Sequence, residues 1–278
     1  MAIKLDMGKA WNDAVAMLVA NKDVVLIIAG VFFFLPNAIA SLAMPQATAE
    51  LEAMTASGAE PDPEAMLEMF TAMYAEIWWV IVLLALFQAA GVLSLLALLT
   101  DSARPTVGEA LKLGAKALIP YIGVQLLGGL LLVVAIALPA GLGALIAPGI
   151  GALLALIGMV FAVYMYVKIS LTSPVIAIEK VMNPFTALRR SWQLTKGNSF
   201  RLFAFYLLLI LVLIVISAIT GMVWAIFSIM GEQVGLFASA IGGAIVSMVT
   251  VSIFMAVLAA VHRQLSGGTA ETTKETFA

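Results

Sequence analysis

Apolar runs of about twenty residues alternate with short polar stretches along this chain, and that is the length a helix needs to cross the hydrocarbon core of a bilayer. Six runs meet the length, at roughly 24–43, 77–99, 118–138, 150–169, 201–222 and 235–262. Lipid offers no hydrogen bonds, so each crossing backbone must satisfy itself, and the pattern predicts an all-α polytopic membrane protein with six transmembrane helices. The fifth run continues to Met230, and Gly221 marks where it is expected to tilt or bend. Ala38-Ile39-Ala40 is a small-x-small site after the first run, but a 22-residue amphipathic preamble precedes that run. A signal peptide has a short basic head instead, so the first run reads as a retained span.

The polar stretches divide by charge. Lys4, Lys9 and Lys22 precede the first span, and Arg104, Lys112 and Lys116 lie between the second and third. Lys168, Lys180, Arg189, Arg190, Lys196 and Arg201 lie between the fourth and fifth, and Arg263 and Lys274 follow the sixth. All fourteen basic residues thus fall on one side, while the other side carries Glu50, Glu52, Glu60, Asp62, Glu64, Glu68, Glu76 and Glu232. Basic loops stay cytoplasmic, so both termini are expected in the cytoplasm, with residues 44–76 outside. Residues 1–265 read as a single membrane domain and 266–278 as a disordered cytoplasmic tail. In the outer segment, Leu51, Met54, Met66, Met69 and Met73 predict helices at 46–58 and 63–75, broken near Pro61 and folded back over the bundle. The methionine stripe reads as packing rather than as a copper(I) site, because no cysteine or histidine accompanies it.

Three polar segments resemble one another: "GKAWNDAVAMLVANK" at 8–22, "GEALKLGAKALIPYI" at 108–122 and "FTALRRSWQLTKGNS" at 185–199. Aligning Ala10, Ala110 and Ala187 places a large apolar residue after each: Trp11, Leu111 and Leu188. Asn21 and Asn198 also align, whereas the middle segment has Tyr121 there. Each segment precedes two spans. The expected architecture is therefore three units, about 1–99, 100–170 and 171–265, each a cytoplasmic interfacial helix followed by a helical hairpin.

The third segment is the most clearly punctuated. Asn183 can cap, Pro184 suits a first turn, and Gly197-Asn198 can close the helix in a left-handed conformation. On a helical wheel Phe185, Leu188, Trp192 and Thr195 cluster opposite Arg189, Arg190, Gln193 and Lys196. Such a helix is expected in the headgroup layer, with Trp192 at the acyl boundary and Arg189, Arg190, Lys196 and Arg201 as lipid-headgroup candidates. The basic cluster reads first as an orientation signal and then as an anionic-lipid site. Pro174, in "SLTSP" at 170–174, is expected to stop or kink the fourth span, with nearby hydroxyls satisfying the freed carbonyls. Within the spans Asn37, Gln88 and Gln125 are candidates for interhelical hydrogen bonds or for lining a substrate path. "GLGALIAPGIG" at 141–151 reads as a flexible or partly re-entrant connection, and Ala238, Ser239, Gly242, Gly243 and Ser247 as packing faces of the sixth span.

The stretch from Lys168 to Phe203 resembles bacterial six-span proteins related to the membrane domain of glycerophosphoryl diester phosphodiesterases. The matching positions are Pro174, Ala187, Ser191, Gly197, Asn198 and Arg201. In that family the catalytic domain is separate and soluble, and this chain has no segment outside the spans long enough to form one. The resemblance therefore implies a membrane module without that activity, located in a bacterial inner membrane.

Composition narrows the chemistry further. The chain has 63% apolar residues, 11% charged residues, no cysteine and one histidine, His262. Thiol chemistry and histidine metal clusters are excluded. No ionisable residue is predicted near the middle of a span, where ion-coupled pumps place them. His262 shows no partner in sequence, and no catalytic residue, metal or cofactor is expected. The net charge of −2 gives no reason to expect a nucleic-acid partner. The leading expectation is a non-enzymatic protein that engages anionic lipid, a partner protein or a second copy through its interfacial helices. The alternative is a transporter or flippase-like carrier of an amphiphile, for which a polar cavity joining Asn37, Gln88 and Gln125 would be the sign.

Overall fold

The computed structural model describes residues 3–43, 63–100 and 106–267. Along them run α1 (Met7–Ala20), α2 (Lys22–Ala29), α3 (Leu35–Ala43), α4 (Pro63–Thr100) and α5 (Val107–Ala144). They are followed by α6 (Pro148–Ile169), α7 (Thr172–Ile178), α8 (Pro184–Leu194), α9 (Ser199–Ala225) and α10 (Glu232–Leu265). A π-helical turn at Gly30–Phe34 joins α2 to α3, and a 3-10 turn at Ile226–Met230 follows α9. No strand occurs among the described residues. Six stretches are long and apolar enough to cross a membrane: Lys22–Leu42, Ile77–Leu99, Gly108–Ala144, Pro148–Ile178, Ser199–Met230 and Gln233–Leu265. The protein is an all-α polytopic membrane protein.

The core forms around α10, which packs against α1, α3, α4 and α9. Its residues Met255 to Val261 are all buried, and five of those seven are alanine or valine with no exposed surface. Such small side chains let helices approach closely where lipid supplies no hydrophobic drive for association. Leu93, Leu95 and Leu96 of α4 and Val175 and Ile176 of α7 join the same cluster. Gly91 of α4 is needed for this packing, since a Cβ there would lie 2.6 Å from Phe32 and 2.8 Å from Phe33.

Proline and hydroxyl chemistry place the breaks. Pro36 lacks an N–H, and the π turn lies just before it, with Asn37 Nδ2 donating to Phe33 O at 2.6 Å. The fourth span stops at Ile169, before Pro174, and resumes as the buried helix α7 with Pro174 in its first turn. Ser170 Oγ donates to Val167 O at 2.9 Å and Thr172 Oγ1 donates to Ile169 O, so hydroxyls take up carbonyls at the break.

Several expectations give way. Residues 63–75 do not fold back over the bundle but continue into the second span as α4. No proline interrupts α4 after Pro63, and its 38 residues make a helix about 57 Å long, well beyond the roughly 30 Å hydrocarbon core. The predicted helix at 46–58 and the tail from 268 lie outside the described residues. The middle amphipathic segment is not a separate helix either. Thr106 and Glu109 form a capping box, and α5 then runs unbroken through Pro120 and Pro139. The 141–151 connection is a tight turn, with Gly143 against Gly151. α9 runs through Gly221 without a break, to Ala225, where the 3-10 turn begins.

Candidate functional site

Local capping fixes α8. Asn183 Oδ1 accepts from the N–H groups of Phe185 at 3.0 Å and Thr186 at 3.2 Å. Pro184 occupies the first turn and rests on α5 where Gly123 has no side chain. Gly197 adopts φ 83°, the left-handed conformation that ends the helix. Asn198 then serves another purpose. Its Oδ1 accepts from Leu5 N–H at 2.9 Å and its Nδ2 donates to Ile3 O at 2.7 Å, which pins the N-terminal segment leading into α1. Arg201 Nη1 reaches Leu5 O at 3.5 Å beside it.

The packed face of α8 is not the aromatic one. Ala187, Ser191, Leu194 and Thr195 are buried, while Phe185 is 70% exposed and Trp192 stands outward. The wheel turns Phe185 and Trp192 towards lipid, and both are exposed, but Thr195, which it groups with them, is buried. A helix lying close on α5, α6 and α7 needs small residues beneath it, and the large ones are left to face the surroundings.

Ser191 completes the break between α6 and α7. Its hydroxyl donates to Lys168 O at 2.8 Å and accepts from Leu171 N–H at 3.2 Å. Lys168 is itself buried, with Nζ 5.5 Å from the Tyr164 ring centre and 5.4 Å from that of Trp192. The ammonium is held by two aromatic faces and by Thr195 O at 3.5 Å.

A second polar junction corrects the reading of His262 as unpartnered. Its Nε2 lies 2.9 Å from Glu179 Oε1, and Arg190 Nε donates to Glu179 Oε2 at 2.9 Å. Glu179 follows α7, Arg190 lies on α8 and His262 on α10, so one carboxylate ties three elements together. Lys180, with φ 57°, turns the chain immediately after it. Burial pushes the Glu179 carboxyl up, but hydrogen bonds from Arg190 and His262 and their positive charge outweigh this and hold it below its ordinary value. Arg263 pairs with Asp13 of α1 at 2.9 Å on the same face.

The four basic candidates therefore have different partners. Arg190 is ion-paired and Arg201 reaches a carbonyl. Arg189 and Lys196 are exposed and have no hydrogen-bond or ion-pair partner among the described residues. Exposed Phe185, Trp192 and Phe200 stand on or beside the same helix. The intramembrane polar residues are not brought together. Asn37 bonds within its own helix and approaches Ser247 at 3.5 Å, Gln88 is half-buried on α4, and Gln125 faces a cavity with Tyr121 and Ser173. Sequence reasoning missed Glu179, Lys168 and the hydroxyl of Ser191 as junctions, because their partners come from other elements. No family model, curated protein or solved structure matches the chain.

Proposed function

We propose that the protein is a non-enzymatic component of a bacterial inner membrane that holds anionic lipid headgroups against α8. The observation that carries this reading is the pair of free cations, Arg189 and Lys196, set beside exposed Phe185 and Trp192. Aromatic rings favour the membrane interface and unpaired cations there attract lipid phosphate. The absence of basic residues from the opposite loops supports a cytoplasmic location for this face and for both termini. The carrier alternative is less well supported, since the cavity that Gln125 lines is lined by neither Asn37 nor Gln88.

The reading is tested by purifying the wild type and the Arg189→Gln/Lys196→Gln variant and quantifying the phosphatidylglycerol that remains bound. Arg190 is left intact because it holds Glu179. Loss of bound phosphatidylglycerol with unchanged thermal stability supports the proposal, and equal retention contradicts it.

A further inference from the structure

Two cavities lie between α5 and its neighbours. One, of about 270 Å³, is lined by Tyr121, Gln125, Tyr166, Ser170, Thr172 and Ser173, all uncharged and polar, together with apolar side chains of α10. The other, of about 370 Å³, is lined by Leu132, Ile136, Met159, Phe203 and Ile210 among other apolar groups. Leu132 and Tyr166 line both. The Tyr166 phenol lies near those of Tyr121, which lines the polar cavity, and Tyr206, which lines the apolar one.

The order of the two cavities along the helices matches the polarity of a bilayer. The polar cavity lies at the α8 end, where α6 gives way to α7, and the apolar cavity lies deeper along α5, α6 and α9. From Tyr121 to Ile136 the α5 axis rises about 22 Å. Gln125 is exposed on a membrane-crossing helix, and neither its amide nor the Tyr166 hydroxyl has a hydrogen bond among the described residues. Hydrocarbon cannot supply one, so a bare amide at this depth calls for a polar ligand group. No charged side chain lines either cavity, and the neighbouring Lys168 turns its ammonium to Trp192 and Tyr164.

We propose that the two cavities are the head and tail compartments of one site for a single-chain amphiphile with an uncharged, hydroxyl-bearing headgroup, of the monoacylglycerol type. The head exchanges hydrogen bonds with Gln125, Tyr166 and the Ser173 hydroxyl, and the chain runs inward past Leu132 towards Ile136. Taken together, the two volumes fall within the range of small-molecule sites. An ionised headgroup is disfavoured because its charge would be unpaired there. This site is separate from the α8 surface and does not depend on it.

The test is equilibrium binding of radiolabelled 1-monooleoylglycerol to the purified full chain in detergent, with oleate as the charged comparator. The expected result is saturable binding at one per chain, about tenfold or more tighter than oleate. Gly129 lines the polar cavity, and a Cβ there meets nothing within 4 Å, so Gly129→Leu has room to grow into the space. It should weaken binding about tenfold or more, and Gln125→Leu should weaken it about three- to tenfold. Gln125→Leu decides the matter if Gly129→Leu lowers the unfolding temperature. Arg189→Gln/Lys196→Gln should leave monoacylglycerol binding unchanged whatever it does to phosphatidylglycerol. Non-saturable uptake, equal affinity for oleate, full binding by both cavity variants, or loss in the α8 variant would each overturn the proposal.

Discussion

Ser191 satisfies two backbone groups with one hydroxyl, the Lys168 carbonyl and the Leu171 N–H, at the point where the fourth span breaks. Removing it leaves both buried without that partner, which costs about 1–3 kcal/mol. Ser191→Ala should therefore lower the thermal unfolding midpoint in detergent, whereas the exposed Gln193→Ala should barely move it; equal midpoints for Ser191→Ala and wild type would refute the role. Glu179 makes a pH prediction. Its carboxyl is depressed in the folded protein, so its stabilisation is present above the ordinary value of 4.5 and is lost as pH falls through the lower folded value. Glu179→Gln should be less stable than wild type at neutral pH, and the gap should close as acid protonates the wild-type carboxylate. Curves that stay parallel down to acid pH would contradict this. These residues differ in how far sequence reveals them. Asn183, Pro184 and Gly197 are legible because capping and left-handed turns are local events. Glu179 and His262 are not, since 83 residues separate them and only the packing of α10 brings them together.

The three amphipathic segments share more than their aligned alanines. Four residues before Ala10, Ala110 and Ala187 stand Asp6, Thr106 and Asn183, and each caps its helix with a side-chain oxygen. Four residues after them stand Ala14, Gly114 and Ser191, and seven after them Met17, Ala117 and Leu194. The alanines at the first position are all buried, as are all three residues at the last. Each segment also packs against a preceding span, α5 on α4, α8 on α6 and, closing the circle, α1 on the last span α10. We read these as three copies of one unit. Ala10→Leu, Ala110→Leu and Ala187→Leu should each destabilise by about 1–3 kcal/mol through overpacking. The exposed Phe185→Leu should stay within about 0.5 kcal/mol of wild type. Thermal unfolding of the set checks this, and an indifferent leucine at any of the three sites would break the equivalence. Periodicity reveals the alanines, but it does not reveal that the second copy fuses with its span. Fusion depends on whether the chain between them contains a stop, and Pro120 alone does not provide one.

At the scale of the whole molecule, six spans and the end of the bundle that gathers α1, α8 and the end of α10 follow from sequence. Apolar length and charge segregation are properties of the whole chain. The cavities are not legible, because they arise where Gly129 and the α6–α7 break leave space between helices. The chain has no cysteine, so single cysteines report sidedness directly. An impermeant reagent added outside intact cells should label Glu232→Cys and spare Ser266→Cys, and the reverse would invert the molecule. The central claim, that α8 holds anionic lipid, is tested most directly by native mass spectrometry. The wild type and Arg189→Gln/Lys196→Gln would be titrated with phosphatidylglycerol and with phosphatidylcholine at fixed salt. Each cation near an anionic surface is worth about 1 kcal/mol, so the double variant should lose up to about 30-fold in phosphatidylglycerol affinity. Its phosphatidylcholine affinity should be unchanged, and raising salt should shrink the wild-type preference for phosphatidylglycerol. A wild type that binds the two lipids equally, or a variant that keeps the full preference, would contradict the account.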